Sequence, residues 1–323
     1  MQGKALPDQS AQAQVYVGVD VCKDWLDVYF HPLGKALRIA NDRHGLKHLK
    51  RACEGVAIAR LVLEATGKYH RQAHRSLHAA GLPVAVVNPL RSRLFAEAVG
   101  ALAKTDRIDA RMLALLGARL DPAAAPPAGE AMDGLQELVR ARQSAVADKT
   151  ALSNRAGEAE TDFLRVELVQ LIAEAERHIA RLDEEIGRRI DTDERLAERF
   201  RILLSIKGVG PIAAMTLLSC LGEIGACSGK GAAMLAGLAP IARDSGDKNG
   251  QRRIRGGRAH VRTALYMAAV AAARWNPDLA AFYKRLRENG KAAKIAITAV
   301  MRKIVVLANV LIRENRQWTP TRP

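Results

Sequence analysis

The chain has 323 residues, about half of them hydrophobic, and carries a net charge of +16. That length predicts two domains rather than one small core, and that charge predicts a polyanionic partner, nucleic acid ahead of anionic membrane. No uninterrupted apolar run reaches the roughly 18 residues of a membrane span. The best, Ile295 to Ile312, is broken by Arg302-Lys303, and the opening MQGKALPDQSAQAQ lacks the apolar core of a signal peptide. A cytoplasmic, nucleoid-associated protein with no membrane part is expected, with residues 1–14 as a disordered tail. Cys22, Cys53, Cys220 and Cys227 show no C-x-x-C spacing, which argues against zinc and a disulfide framework, and they read as reduced, buried thiols. Charge is uneven: residues 1–129 sum to +7, 130–200 to −6 and 201–323 to +15, so the last third is the main polyanion-binding part.

Valines 15, 17 and 19 alternate through Val15–Asp20, a strand pattern that leaves Asp20 at the end with Gly18 on the opposite face. Trp25–Phe30 and Ala36–Ala40 read as the next strands of an antiparallel meander. A short helix is expected over His44–Ala52. The buried strand Arg60–Leu63 ends in Glu64, helix Tyr69–Ala80 stops at Gly81, strand Pro83–Val87 closes on Asn88-Pro89, and helix Leu90–Val99 follows. Next comes Lys104-Thr-Asp-Arg-Ile-Asp-Ala110, opening a further helix that runs to Leu120. Asp106 and Asp109, three apart, share a helix face at its N-terminus, where the backbone dipole tolerates negative charge. Strands followed by alternating strand and helix predict an α/β domain over residues 15–121. In such sheets, sites form outside strand ends. Asp20, Glu64, Asp106 and Asp109 meeting there would repel unless cations lie between them, and oxygen ligands suit Mg²⁺. Two such ions can activate an attacking oxygen and stabilise a leaving one in phosphoryl transfer.

Residues 122–130, with three prolines, read as a linker. From about residue 131 to 200 the chain is helical. Leu168, Ile172, Ala175, Ile179, Leu182 and Ile186 step at heptad spacing, a coiled-coil region whose seam either joins two copies or closes an antiparallel hairpin on itself. A helical domain is expected over residues 201–316, with 317–323 as a tail. In it, Gly208-Val-Gly210-Pro211 between two short helices resembles a helix-hairpin-helix, whose free amides, with Lys207 beside them, suit a phosphate. The glycine-rich loop Gly237–Gly257 holds Ser245 among Arg243, Lys248, Arg252, Arg253 and Arg255, with Arg258 and Arg262 just beyond. Composition alone favours a flexible phosphate-binding loop. The sharper reading makes Ser245 a nucleophile on DNA phosphate, with arginines stabilising the transition state. Helices are expected over Ala259–Ala273 and Pro277–Ile312. His70, His74 and His78 share one helix face and read as surface or RNA-facing residues rather than metal ligands.

Together the segments Gly18-Val-Asp20, Leu63-Glu-Ala-Thr-Gly67, Asn88-Pro89, Lys104–Ala110, Gly208–Pro211, Gly237-Leu-Ala-Pro240, Ser245-Gly246, Arg262–Ala268 and Met301-Arg-Lys303 resemble, in this order, the DEDD-type transposases of the IS-one-ten insertion-sequence family, also described as bridge-RNA-guided serine recombinases. The distal part is most similar to the IS-eleven-eleven-like subgroup. Gly257-Arg-Ala-His260 departs from the pattern by lacking a second glycine near Ala259. The resemblance implies an RNase H-like (RuvC-like) domain whose Asp20, Glu64, Asp106 and Asp109 bind Mg²⁺, and a helical transposase domain whose nucleophile is Ser245. It further implies a structured guide RNA that pairs with donor and target DNA. The assembly it implies is a homo-oligomer, a dimer that becomes a tetramer on DNA, with the carboxylates of one protomer meeting the serine of another. Two rivals remain at this stage. One is a Holliday-junction-type Mg²⁺ endonuclease that uses water and needs no serine. The other is a non-enzymatic nucleic-acid-binding protein whose carboxylates are structural. An actin-like ATPase is disfavoured because no second glycine-rich phosphate loop follows an aspartate.

Overall fold

The computed structural model describes residues 14–101, 105–242, 244, 250 and 252–320. Residues 1–13 of the tail expected over 1–14, together with Lys104, Arg243, Ser245 and Lys248, lie outside the described residues. The chain divides into two compact units, Met1–Pro127 and Ala128–Pro323.

The first unit is built on a five-stranded sheet. In chain order it contains β1 (Val15–Val21), β2 (Trp25–His31), β3 (Lys35–Ala40), α1 (Arg43–Cys53), β4 (Ile58–Glu64), α2 (His70–His78), β5 (Val84–Val87), α3 (Pro89–Ala98) and α4 (Asp106–Leu120). The strands lie in the order β3-β2-β1-β4-β5. The β1–β2 and β2–β3 pairs are antiparallel, and β1–β4 and β4–β5 are parallel. This is the mixed sheet expected of an RNase H-like domain. The alternation read from the valines decides which face is which: Val15, Val17, Val19 and Val21 are buried in one core with Leu46, Leu49 and Leu77. The other face of β1 carries Gly18 and Asp20, and α4 lies on it.

Gly18 is what permits that contact. A Cβ placed there would stand 2.0 Å from the Ala110 carbonyl oxygen and 2.3 Å from the Ala114 nitrogen. No side chain fits, so α4 rests backbone to backbone on β1. Further along α4, Gly117 lies close against the side chains of Val62 and Tyr16, and Leu113 and Leu116 fill the space beside them. Helix α4 starts where the sequence says it must, because the Thr105 hydroxyl caps it by accepting from the Ile108 amide.

The expected linker is not free along its length. The Ala125 amide donates to the Val84 carbonyl at 3.0 Å, and the Ala125 carbonyl is bonded at 2.9 Å by His74, whose side chain is buried. His74 is therefore a structural anchor and not a surface or RNA-facing residue. The reading of the cysteines also needs correction: Cys53 is buried, but Cys22, Cys220 and Cys227 are each partly exposed.

The second unit is helical. It contains α5 (Glu130–Glu158), α6 (Asp162–Thr192), α7 (Glu194–Ser205), α8 (Pro211–Cys220), α9 (Gly229–Leu235), the two-residue strands β6 (Pro240–Ile241) and β7 (Arg253–Ile254), then α10 (Ala259–Trp275), α11 (Pro277–Glu288) and α12 (Ala293–Glu314). The heptad seam resolves within one chain: α5 and α6 pack as an antiparallel hairpin. Arg142 pairs with Asp183 and Lys149 with Glu176, so seven residues forward on one arm match seven residues back on the other. At the base, Leu135, Val139, Ile186 and Ile190 enter the main core of this unit. The continuous helix expected over Pro277–Ile312 is instead two, separated at Gly290, which adopts φ +74°. Helix α12 is long and apolar enough to cross a membrane by length and composition, with Arg302-Lys303 interrupting its apolar run as the sequence indicates. Half of its apolar window is buried, with Val300, Ile304, Val305 and Ala308 in the core. Trp318, expected in a tail, donates its backbone N–H to the Ser205 hydroxyl.

The Gly18 contact gives a direct test. Gly18→Ala forces α4 away from β1 and should lower stability by about 1–3 kcal/mol, measured by urea denaturation. An unchanged midpoint would show that α4 yields without cost.

Candidate active site and the transposase family

The four predicted carboxylates come from three elements on one side of the sheet. Asp20 is the penultimate residue of β1, Glu64 is the final residue of β4, and Asp106 and Asp109 occupy the first turn of α4. Because β1 and β4 are parallel neighbours in register, Val19 opposite Leu63, Asp20 and Glu64 emerge from the same end of the sheet. Because α4 is pressed onto Gly18, its first turn reaches that end too. Their mutual effect is visible on Asp20, whose carboxyl is pushed up to about 6, first by burial and then by the charges of Asp109, Glu64 and Asp106. All four predicted residues are thus brought within electrostatic reach of one point.

Asp20, Asp106 and the Cys22 thiol each offer a donor atom within 4.8 Å of one another. Burial and the neighbouring carboxylates Asp20, Asp106 and Asp27 push the Cys22 thiol up, which keeps it protonated and leaves the carboxylate oxygens as the charged donors. Those oxygens fit a hard divalent cation, which needs oxygen ligands and would remove the repulsion that raises Asp20. Asp20 and Asp106 would hold it, with Glu64 and Asp109 alongside.

Three supporting residues escaped the sequence reading. Ser92, buried on the first turn of α3, donates its hydroxyl to Glu64 Oε2. Asn88 and Pro89 start that helix, Asn88 accepting from the Leu90 amide at 2.8 Å, and so place Ser92. Asp27 and Arg38 lie on β2 and β3. Asp27 is directly opposite Asp20 on one side and Arg38 on the other. The signal for the pair was the hairpin register: a meander turning at Cys22–Asp24 sets Asp27 beside Asp20.

The second unit places the predicted nucleic-acid residues unevenly. Gly208, at φ +100°, is pressed against α10, where a Cβ would stand 2.5 Å from the Ala272 nitrogen, so packing explains it. Gly210 is exposed, precedes Pro211 at the start of α8, and has open space around it; Lys207 is exposed beside it. Arg258 is committed to Glu223 through two bonds of 2.6 and 2.7 Å. Arg262 donates to the Gly256 carbonyl and braces the loop. Arg252 pairs with Asp244 at 3.1 Å, and Arg255 is exposed. Arg252 and Arg253 also line a groove of about 910 Å³ with Lys291, Lys294 and Arg302, over an apolar floor of Leu238, Ile254 and Ile295. No acidic residue is among its described lining. Lys291, Lys294 and Arg302 fall in the stretch expected as helix from Pro277 to Ile312, and nothing in the sequence brings Arg253 to the same groove.

A mixed sheet with carboxylates gathered at one end defines a nucleic-acid-processing enzyme of the RNase H-like class. Comparison with known proteins carries this further. Residues 17–159 match the DEDD transposase family of IS110 type, and residues 200–284 match the family described as "Transposase IS116/IS110/IS902 family". The chain belongs to the IS110-type DEDD transposases, enzymes that cut and rejoin DNA, and the family implies a divalent metal at the acidic site. It is 28% identical over 316 residues to the pilin gene-inverting protein of Moraxella bovis, covering 95% of this chain and 98% of that protein. The corresponding protein of Moraxella lacunata gives the same identity and coverage. An insertion element IS900 protein of 42 kDa from Mycobacterium paratuberculosis is 32% identical over 159 residues, 46% of this chain and 39% of that one.

Asp20 yields a pH prediction. An acid whose pKa rises from 3.8 to about 6 on folding binds more protons folded than unfolded between those values. Stability therefore falls as pH rises through that window and stays lower above it. In EDTA, Asp20→Asn should remove that fall, giving a higher midpoint than the parent at pH 7–8 in thermal unfolding. Parallel midpoint-against-pH curves for the two proteins would contradict the assignment.

Proposed function

We propose that this transposase cleaves and rejoins DNA through a serine–phosphate intermediate, with two Mg²⁺ ions held by Asp20, Glu64, Asp106 and Asp109, under the guidance of a structured RNA. The observation that carries the reading is the convergence of the four carboxylates on Asp20 from β1, β4 and α4. Bound there, Mg²⁺ would supply charge stabilisation of the attacking and leaving oxygens. Asp20 and Glu64 orient from rigid strands, Ser92 fixes the Glu64 carboxylate, and the capped first turn of α4 presents Asp106 and Asp109.

Ser245 supplies the nucleophile in this reading. Its Oγ bonds to phosphorus as the P–O3′ bond breaks, freeing a 3′ hydroxyl that later attacks the phosphoserine in the rejoining step. Support comes from the family resemblance and from the basic surroundings of the loop. The basic groove between β6–β7 and the start of α12 seats the DNA backbone. Two lysines at the start of a helix oppose its dipole, an arrangement a polyanion relieves. Gly210 and Lys207 offer a second backbone contact. RNA guidance follows from the resemblance alone, and it suits a protein whose cationic features are backbone-type rather than base-reading.

The working form is a homo-oligomer. At the tip of the α5–α6 hairpin Phe163, Leu164, Val166, Val169 and Leu171 are all exposed, a patch that a second copy would cover. Near full-length similarity to the pilin gene-inverting proteins favours site-specific inversion as one outcome of the same strand chemistry.

Two experiments test this. Incubation with element-end DNA, Mg²⁺ and the flanking RNA should yield a protein–DNA adduct stable to detergent. The adduct should be absent from Ser245→Ala and from EDTA-treated protein. An adduct in Ser245→Ala sinks the nucleophile, and cleavage without any adduct favours hydrolysis by water. Separately, Lys294→Ala/Arg302→Ala should weaken DNA binding and lower the slope of log K against log salt by about 2, measured by fluorescence anisotropy. An unchanged slope removes DNA from the groove.

A further inference from the structure

Asp20, Asp27 and Arg38 stand in a row across three adjacent strands, Asp20 opposite Asp27 in the β1–β2 pair and Asp27 opposite Arg38 in the β2–β3 pair. Residues directly opposite on neighbouring strands share a sheet face, so the row lies on the face that also carries Gly18 and receives α4. Asp27 is buried, with 3% of its surface exposed, and a carboxylate so placed requires a partner. Arg38 provides one in two-pronged form: Nε to Oδ1 at 3.0 Å and Nη2 to Oδ2 at 2.8 Å. The guanidinium head is thereby fixed over the end of the sheet. From that fixed position Nη2 makes a further bond of 2.8 Å to Asp106 Oδ2, joining residues 68 apart in the chain.

Asp106 is the more exposed end of this contact and one of the donors that come within 4.8 Å of each other beside Asp20. A permanent positive charge is thus anchored on a buried acid outside the four carboxylates and touches one of the four. We propose that Arg38, seated on Asp27, is a positioning residue for the metal site. It orients Asp106 before the cation arrives and competes with the cation for that carboxylate. The site is then set to bind metal less tightly than its four carboxylates would on their own, while holding Asp106 in working geometry. The inference rests on the acidic cluster being the metal site.

The two functions separate experimentally. Mn²⁺ binding to the full-length protein, followed by electron paramagnetic resonance of the free ion, should tighten roughly tenfold in Arg38→Gln, the scale of one opposite charge in contact with a carboxylate. DNA cleavage at saturating Mn²⁺ should fall in the same variant, because Asp106 is no longer held. Arg38→Lys keeps the charge and should return Mn²⁺ affinity towards the parent value, without restoring full cleavage, since an ammonium cannot reproduce the two-pronged seat. If Arg38→Gln alone fails to fold with Asp27 left unpaired, Arg38→Gln/Asp27→Asn removes both charges and should still bind Mn²⁺ more tightly than the parent. Unchanged or weaker Mn²⁺ binding in Arg38→Gln, or in Arg38→Gln/Asp27→Asn where the single variant does not fold, overturns the role of Arg38. Loss of Mn²⁺ binding by the parent itself would instead overturn the cluster as the metal site.

Discussion

The contact between Gly18 and the backbone of α4 is the constraint from which the acidic site follows. Two of the four carboxylates are fixed by strands and two by a helix, and only the helix can be misplaced without breaking the sheet. A residue with any side chain at position 18 would hold α4 off β1. Its first turn would then no longer present Asp106 and Asp109 at the end where Asp20 and Glu64 emerge. About one turn beyond the middle of the helix, Gly117 makes a milder allowance, close against the side chains of Val62 and Tyr16. The site is therefore as well placed as one pair of close backbones allows, and Thr105 sets where along that line the charges begin.

Gathering acids this closely has an electrostatic cost, and the structure shows how it is met. Asp20, raised first by its burial, carries part of it as a further rise in pKa. Arg38 offsets part of it from outside, anchored on an acid that is not exposed to solvent. The balance is reversed in the second unit. There the groove beside β6–β7 gathers cations with no acid among its described lining; Asp244 offsets one of them, Arg252, while Glu223 is committed to Arg258 away from it. The acidic site of the first unit thus keeps a local surplus of negative charge and the groove of the second a local surplus of positive charge.

Much of the first unit was legible in the sequence because its periodicities are unambiguous. Alternating valines mark β1, a single apolar run marks β4, and the carboxylates sit at element ends, where the sequence pattern changes. Asp27 and Arg38 were not legible because their meaning lies in register, which needs the turn between strands to be known to the residue. His74 was misread because helix spacing shows which residues share a face but not what covers it, and the Ala125 carbonyl that covers it comes from a segment with no pattern of its own. In the second unit the heptad spacing was correctly seen, yet spacing is the same for one chain folded back and for two chains side by side. The salt bridges Arg142–Asp183 and Lys149–Glu176 distinguish the two arrangements. The groove was illegible for a related reason: Arg253 and Arg302 are far apart in the chain, and only the short β6–β7 ribbon brings them together.

The α5–α6 hairpin has a metrical consequence. Its base is rooted among Leu135, Val139, Ile186 and Ile190, whereas its apolar tip lies beyond Lys149–Glu176, an ion pair between the arms, some twenty residues up each arm. At 1.5 Å per residue that is a stalk of roughly 30 Å. Anything gripped by Phe163 and its neighbours is held at a set distance from the helical core behind it. Seven residues inserted into both arms would preserve the seam and lengthen the stalk by about 10 Å. The hairpin is in this sense a ruler whose graduation is the heptad.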